Sequence, residues 1–147
     1  MNNRAKPRVG TVLETALYVA DLPRSIEFYG RVLGFSPASD PAYERMCALN
    51  VTADQVLLLF KKGGSVRPTI TPLGTIPPTD GDGSLHVAFS IPPDDFEVWQ
   101  EWLTASGLDI ESMVSWPEGG CSLYFRDPDD HVIELKTSNW HGQALNW

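Results

Sequence analysis

The stretch VLETALYVADLPRSIEFYGRVLGF, residues Val12 to Phe35, decides how the chain is read. It begins as a strand and turns into a helix within two residues. Val12 to Val19 is rich in β-formers and alternates, so it predicts a strand. The segment from Asp21 changes period. Asp21 offers an N-cap, Pro23 suits the first turn, and Gly34 suits the position just past the end. Leu22, Ile26, Tyr29 and Leu33 recur at helical spacing, so that face should pack on a sheet. Two further strands are expected at about Arg45–Val51 and Gln55–Lys61, with a short one near Phe35.

The second half of the chain repeats this order. SLHVAFSI, Ser84 to Ile91, reads as a strand. PPDDFEVWQEWLTASG reads as a helix with Phe96, Trp99 and Leu103 on its buried stripe, and Trp99 and Trp102 as packing residues. Strands are expected at about Ile110–Trp116, Ser122–Arg126 and His131–Lys136, joined by the turn sequences PEGG and DPDD. Laying SLHVAFSI on VLETALYV places His86 over Glu14, an offset of 86 − 14 = 72. Leu13 then matches Leu85, Ala16 matches Ala88, Leu17 matches Phe89 and Val19 matches Ile91. The expected fold class is therefore α+β, two paired β-α-β-β-β modules forming a cupped mixed sheet. The 147 residues form one domain: module one at about 12–61, a linker at about 62–83, module two at about 84–137 and a C-terminal tail at 138–147. The linker is rich in Gly, Pro and Thr. A connection of that length either crosses a binding cleft or is slack.

Composition narrows the function. Hydrophobic residues make up 42% and charged residues 20%, enough apolar material for a core. The net charge of −8 argues against nucleic acid and against an anionic membrane surface. No apolar run approaches the roughly 20 residues of a membrane span, and no signal peptide is visible. Cys47 and Cys121 make no CxxC, so two reduced thiols in a cytoplasmic protein are expected.

Alternation also assigns faces. On the first strand Glu14, Ala16 and Tyr18 share the mixed row. On the strand from Ser84 that row is His86, Ala88 and Ser90, and on the last strand it is Val132, Glu134 and Lys136. The apolar rows should lie under helices, which leaves the mixed rows to curve around a common cavity. Glu14, His86 and Glu134 would then converge. One imidazole and two carboxylates suit a divalent cation such as iron, manganese, nickel or zinc. Three protein ligands leave positions open for substrate. Tyr18, on the face of Glu14, is the candidate proton donor. Ser90, Tyr124, Arg126 and Lys136 are candidates for lining or rimming the pocket. His131 should belong to the turn before the last strand and point away from Glu134. The tail, with Trp140, His141 and Trp147, is expected to pack on the sheet or on a partner subunit.

ALYVADLPRSIEFYGRVLGF resembles the opening of the vicinal-oxygen-chelate superfamily, which comprises glyoxalases, bleomycin-resistance proteins and dioxygenases. The matching residues are Val19, Asp21, Leu22, Ser25, Phe28, Tyr29, Leu33, Gly34 and Phe35. RDPDDHVIEL, Arg126 to Leu135, resembles the closing motif D-P-D-G-N-x-x-E-L, with Asp130 and His131 at the Gly-Asn positions. The resemblance implies a metal held by the first strand of each module and the last strand of the second, hence Glu14, His86 and Glu134. Glu14 stands where similar proteins commonly carry His. QVLLLF offers no fourth ligand of the glyoxalase I kind, so the layout looks more like extradiol dioxygenases or fosfomycin thiol transferases. The resemblance also implies a homodimer.

Two functions follow as expectations. The first is a metal-dependent enzyme on a small oxygenated substrate, with lyase, isomerase or transferase chemistry ahead of oxygenase chemistry. Glu14 or Glu134, displaced from the metal, would serve as base. The second is a metal-free protein of the bleomycin-resistance type that sequesters a cationic or aromatic ligand.

Overall fold

The computed structural model describes residues 5–38, 44–117 and 119–137. Module one comprises β1 (Glu14–Val19), α1 (Leu22–Leu33), β2 (Ser36–Pro37), β3 (Met46–Asn50) and β4 (Val56–Lys61). A hairpin follows, β5 (Thr69–Thr71) and β6 (Gly74–Ile76). Module two comprises β7 (His86–Ile91), a 3₁₀ turn (Pro93–Asp95) leading into α2 (Phe96–Ala105), then β8 (Ser112–Ser115), β9 (Cys121–Arg126) and β10 (Val132–Thr137). The expected tail at 138–147 lies outside the described residues.

The two modules share one topology. The strand orders are β1-β4-β3-β2 and β7-β10-β9-β8, and in each the first strand runs parallel to the last. The 72-residue offset holds at both ends of the leading strands, since 14 + 72 = 86 and 19 + 72 = 91. The expected linker is not slack throughout. TIT and GTI pair across a short turn, with Gly74 at φ 149°, a backbone geometry that a Cβ disfavours.

Helix α1 starts where Asp21 accepts a hydrogen bond from Arg24 N–H at 3.0 Å, and it ends at Gly34, φ 75°. Its buried face is wider than the spacing alone predicts. Phe28 and Val32 are buried beside Leu22 and Tyr29, while Ile26 and Leu33 are half-buried. The reason is that α1 packs on module two as well as on its own sheet. Phe28 lies 6.5 Å from Phe125 and Phe35 lies 5.2 Å from Phe89, centroid to centroid. Leu17, Leu57, Leu59, Leu103, Leu123 and Ile133 complete one core continuous across both modules.

The DPDDH turn locks the modules together by polar contacts. Buried Asp127 accepts from Tyr29 O–H at 2.8 Å across the interface, and from Asp129 N–H and His131 N–H within its own turn. Asp129 accepts from Ala20 N–H at 2.7 Å. His131 is fully buried, as its place before the last strand allows. Its Nδ1 accepts from Leu85 N–H at 2.9 Å, so its Nε2–H donates to Tyr18 O at 2.8 Å. Asp130 takes the left-handed conformation, φ 68°, which a Gly would adopt without strain.

Candidate functional site

The site is built on the open face of module two. The β9–β10 ladder sets Glu134 opposite Tyr124, and the β7–β10 ladder sets it opposite Ala88, with His86 two pairs along. Alternation then puts His86, Ser122, Tyr124 and Glu134 on one face. Glu134 is 8% exposed by side chain, so its charge is withdrawn from water and must be met by polar partners. Ser122 O–H donates to Oε1 at 2.5 Å, and Trp116 Nε1–H donates to Ser122 Oγ at 2.7 Å. This leaves Oε2 facing His86 Nε2 at 3.2 Å.

The tautomer of His86 gives that contact its meaning. Nδ1 sits 3.2 Å from Val132 O, and a carbonyl can only accept, so Nδ1 carries the proton. In the neutral ring, Nε2 then presents a lone pair toward a carboxylate oxygen. Two electron-pair donors oppose one another unless a cation or a proton lies between them. A backbone-oriented imidazole facing a hydrogen-bonded carboxylate offers two donors of the kinds a divalent cation takes, or shares a proton between them. Tyr124 adds a hydroxyl. Burial, then the hydrogen bond to Glu134, raises its pKa, so it stays a proton-bearing group. Its ring lies 6.4 Å from that of His86.

The other expected residues fall as follows. Glu14 lines a 400 Å³ cavity with His86, Val87 and Ala88, between β1 and β7. Among the described residues, no group of three or more His, Cys, Asp and Glu side chains is arranged to hold a metal. Tyr18 shares the Glu14 face, but its hydroxyl is hydrogen-bonded to Thr79 Oγ1. Lys136 holds Nζ 4.2 Å above the Trp116 ring. Arg126 is clamped to Glu111 at 2.5 and 2.9 Å and also bonds Ser84 Oγ and Asp130 O at 2.9 Å. Ser90 is exposed and lies opposite Lys136. Ser122 and Trp116 were missed from the sequence. Ser122 shares the alternation row of Tyr124 and Arg126, a signal that was available. Trp116 falls within the strand expected at Ile110–Trp116, but β8 ends at Ser115, so alternation does not place its indole on Ser122.

Two β-α-β-β-β modules, with an imidazole–carboxylate pair on the open face of the second, define a paired-module fold. The chain belongs to the Glyoxalase/Bleomycin resistance protein/Dioxygenase superfamily, whose family model matches residues 11–135. It is similar to the metallothiol transferase FosB of Staphylococcus haemolyticus, 29% identical over 123 residues, 82% of this chain and 78% of that protein. Its likeness to FosB of Staphylococcus epidermidis is 42% identical over 53 residues, only 35% of this chain and 37% of that protein. Among solved structures it resembles a lactoylglutathione lyase from Agrobacterium tumefaciens with a TM-score of 0.81 and 27% identity, covering 92% of this chain and 98% of the other. The relatives so named are enzymes. No helix among the described residues is long and apolar enough to cross a membrane.

Proposed function

We propose that the chain is a divalent-metal-dependent enzyme acting on a small oxygenated substrate by transferase or lyase chemistry, with thiol transfer the first reaction to test. The observation that carries this reading is the 3.2 Å approach of His86 Nε2 to Glu134 Oε2, with the far atom of each side chain already held. His86 and Glu134 would hold the metal, while Glu14 lines the same cavity as His86 without completing a three-donor group with them in this arrangement. A bound metal would supply Lewis acidity to substrate oxygen atoms. The protein's own residues do the rest. Val132 O fixes the imidazole, and Ser122, itself held by Trp116, fixes the carboxylate. Tyr124 keeps its proton and can hold it toward a substrate oxygen beside Glu134. The names of the similar proteins, metallothiol transferase and lactoylglutathione lyase, support this class of chemistry.

The test is elemental analysis of protein purified without chelator, alongside His86→Ala and Glu134→Ala. About one divalent ion per chain in the parent, lost in both variants, is expected. Consumption of glutathione in the presence of a small oxygenated electrophile should follow the metal. Absence of metal from the parent, or its retention in both variants, would overturn the reading and leave a metal-free binding protein.

A further inference from the structure

A second cavity lies apart from the His86–Glu134 pair, on the open face of module one. Its volume is 530 Å³, within the range of small-molecule sites. Met46, Ala48, Val56, Leu58 and Phe60 form its floor, all on the face that β1 presents through Glu14. The hairpin β5–β6 and the segment after it form the roof, through Thr69, Ile76, Pro77 and Thr79. The roof is tied down at two points. Tyr18 O–H and Thr79 Oγ1 are hydrogen-bonded, and Arg45 Nη2 reaches Thr69 Oγ1 at 3.4 Å. Gly81 lies against the Tyr18 ring so closely that a Cβ there would stand 2.5 Å from Cδ2. The same ring stacks on Phe60 at 5.8 Å and 26°.

The charges on this cavity are separated along its length. Glu14 pairs with Val56, whereas Arg45 O accepts from Lys61 N–H at the other end of β4. The two positions are five residues apart along that strand, about 16 Å at 3.3 Å per residue. Arg45 forms no ion pair among the described residues. A slot between a sheet and a hairpin suits a flat body, and its apolar floor suits a hydrocarbon one. The cation at one end suits an anionic group, and the carboxylate at the other repels one.

We infer that this cavity binds a flat, apolar organic acid, with the acid group on Arg45 and the ring system on the module-one floor. Glu14 lines both this cavity and the one it shares with His86, so the far end of such a ligand points toward the proposed metal. As a statement about substrate, the inference rests on the proposed function. As a statement about binding, it stands without the metal.

The experiment uses 2-naphthoate and its uncharged counterpart 2-naphthylmethanol, titrated into the full chain in the presence of EDTA. Calorimetry gives affinity, and methyl NMR gives location. The naphthoate should bind once per chain and shift the methyls of Met46, Ala48, Val56 and Leu58. Arg45→Gln should weaken it by about tenfold or more, the loss expected for a charge-assisted hydrogen bond, while leaving the alcohol unchanged. Ala48→Phe, or Val56→Phe from the other end of the slot, should weaken both. Equal affinity for acid and alcohol, indifference to Arg45→Gln, methyl shifts confined to Leu13 and Val87, or no saturable binding would each overturn it. Glu134→Ala separates the two readings: it should abolish metal binding and leave naphthoate binding intact.

Discussion

Tyr29→Phe isolates one polar contact that joins the modules. The substitution keeps the ring that packs edge-on to Phe28 at 5.3 Å and removes only the hydroxyl on Asp127 Oδ2. Tyr29 is fully buried and Asp127 nearly so, so Oδ2 loses a donor that water cannot readily replace. Asp127 Oδ1 keeps its two backbone N–H donors, which limits the damage. A hydrogen bond to a buried charge contributes about 1.5–3 kcal/mol, so a loss of about 2 kcal/mol is expected. For a chain of this size, that is a fall in Tm of about 5–8 °C. The pH dependence sharpens the test. Burial, then the charge of Asp127, drives the Tyr29 pKa far above that of an ordinary phenol. The folded state therefore holds a proton that the unfolded state releases above about pH 10. The parent's advantage is complete below that pH and declines by up to about 1.36 kcal/mol per pH unit above it. The variant has no such group, so a gap of about 2 kcal/mol at pH 8 should close near pH 11.5. Urea titrations of both proteins across that range measure it. A gap below about 0.5 kcal/mol at neutral pH, or one that stays constant as pH rises, would refute the reasoning.

Other expectations follow from the same geometry. Ser122→Ala should remove the donor to Glu134 Oε1 and weaken the proposed divalent-metal binding by about 10–100-fold, measured by competition with a chelator, with little change in fold by circular dichroism. His131→Ala removes a fully buried side chain and leaves the half-buried Leu85 N–H and Tyr18 O without their partner, and should cost about 2–4 kcal/mol in urea melts, with His131→Asn recovering part of it. Asp130→Gly should be neutral or stabilising by up to about 1 kcal/mol, whereas Asp130→Val should cost about 1–2 kcal/mol, because its φ of 68° is left-handed.

Much of the fold was legible because it is written in local periods. Val12 to Val19 alternates and Asp21 to Gly34 does not, and the boundary falls at the capping Asp21, as side-chain chemistry requires. The offset of 72 residues carried this reading into the second half and placed His86 at the head of β7, as Glu14 heads β1. The row containing Glu134 was legible for the same reason: Ile133 and Leu135 point into the core, so the residue between them cannot. The hairpin at Thr69–Ile76 was not legible, because three-residue strands leave too short a pattern among Pro, Gly and Thr.

What local pattern cannot specify is a partner far along the chain. Alternation says which face Glu134 occupies, but ladder register and packing decide that Ser122 and His86 meet its two oxygens. The spacing of α1 says it is amphipathic, but only the docking of module two explains why Phe28 and Val32 are buried as well. His131 bonds a carbonyl 131 − 18 = 113 residues away, and Tyr18 gives its hydroxyl to Thr79 across 79 − 18 = 61. Side-chain period is a property of a few consecutive residues and is set by the backbone. Those contacts exist only after two separately formed modules have closed on a shared core, where an unmet polar group costs too much to leave unpaired.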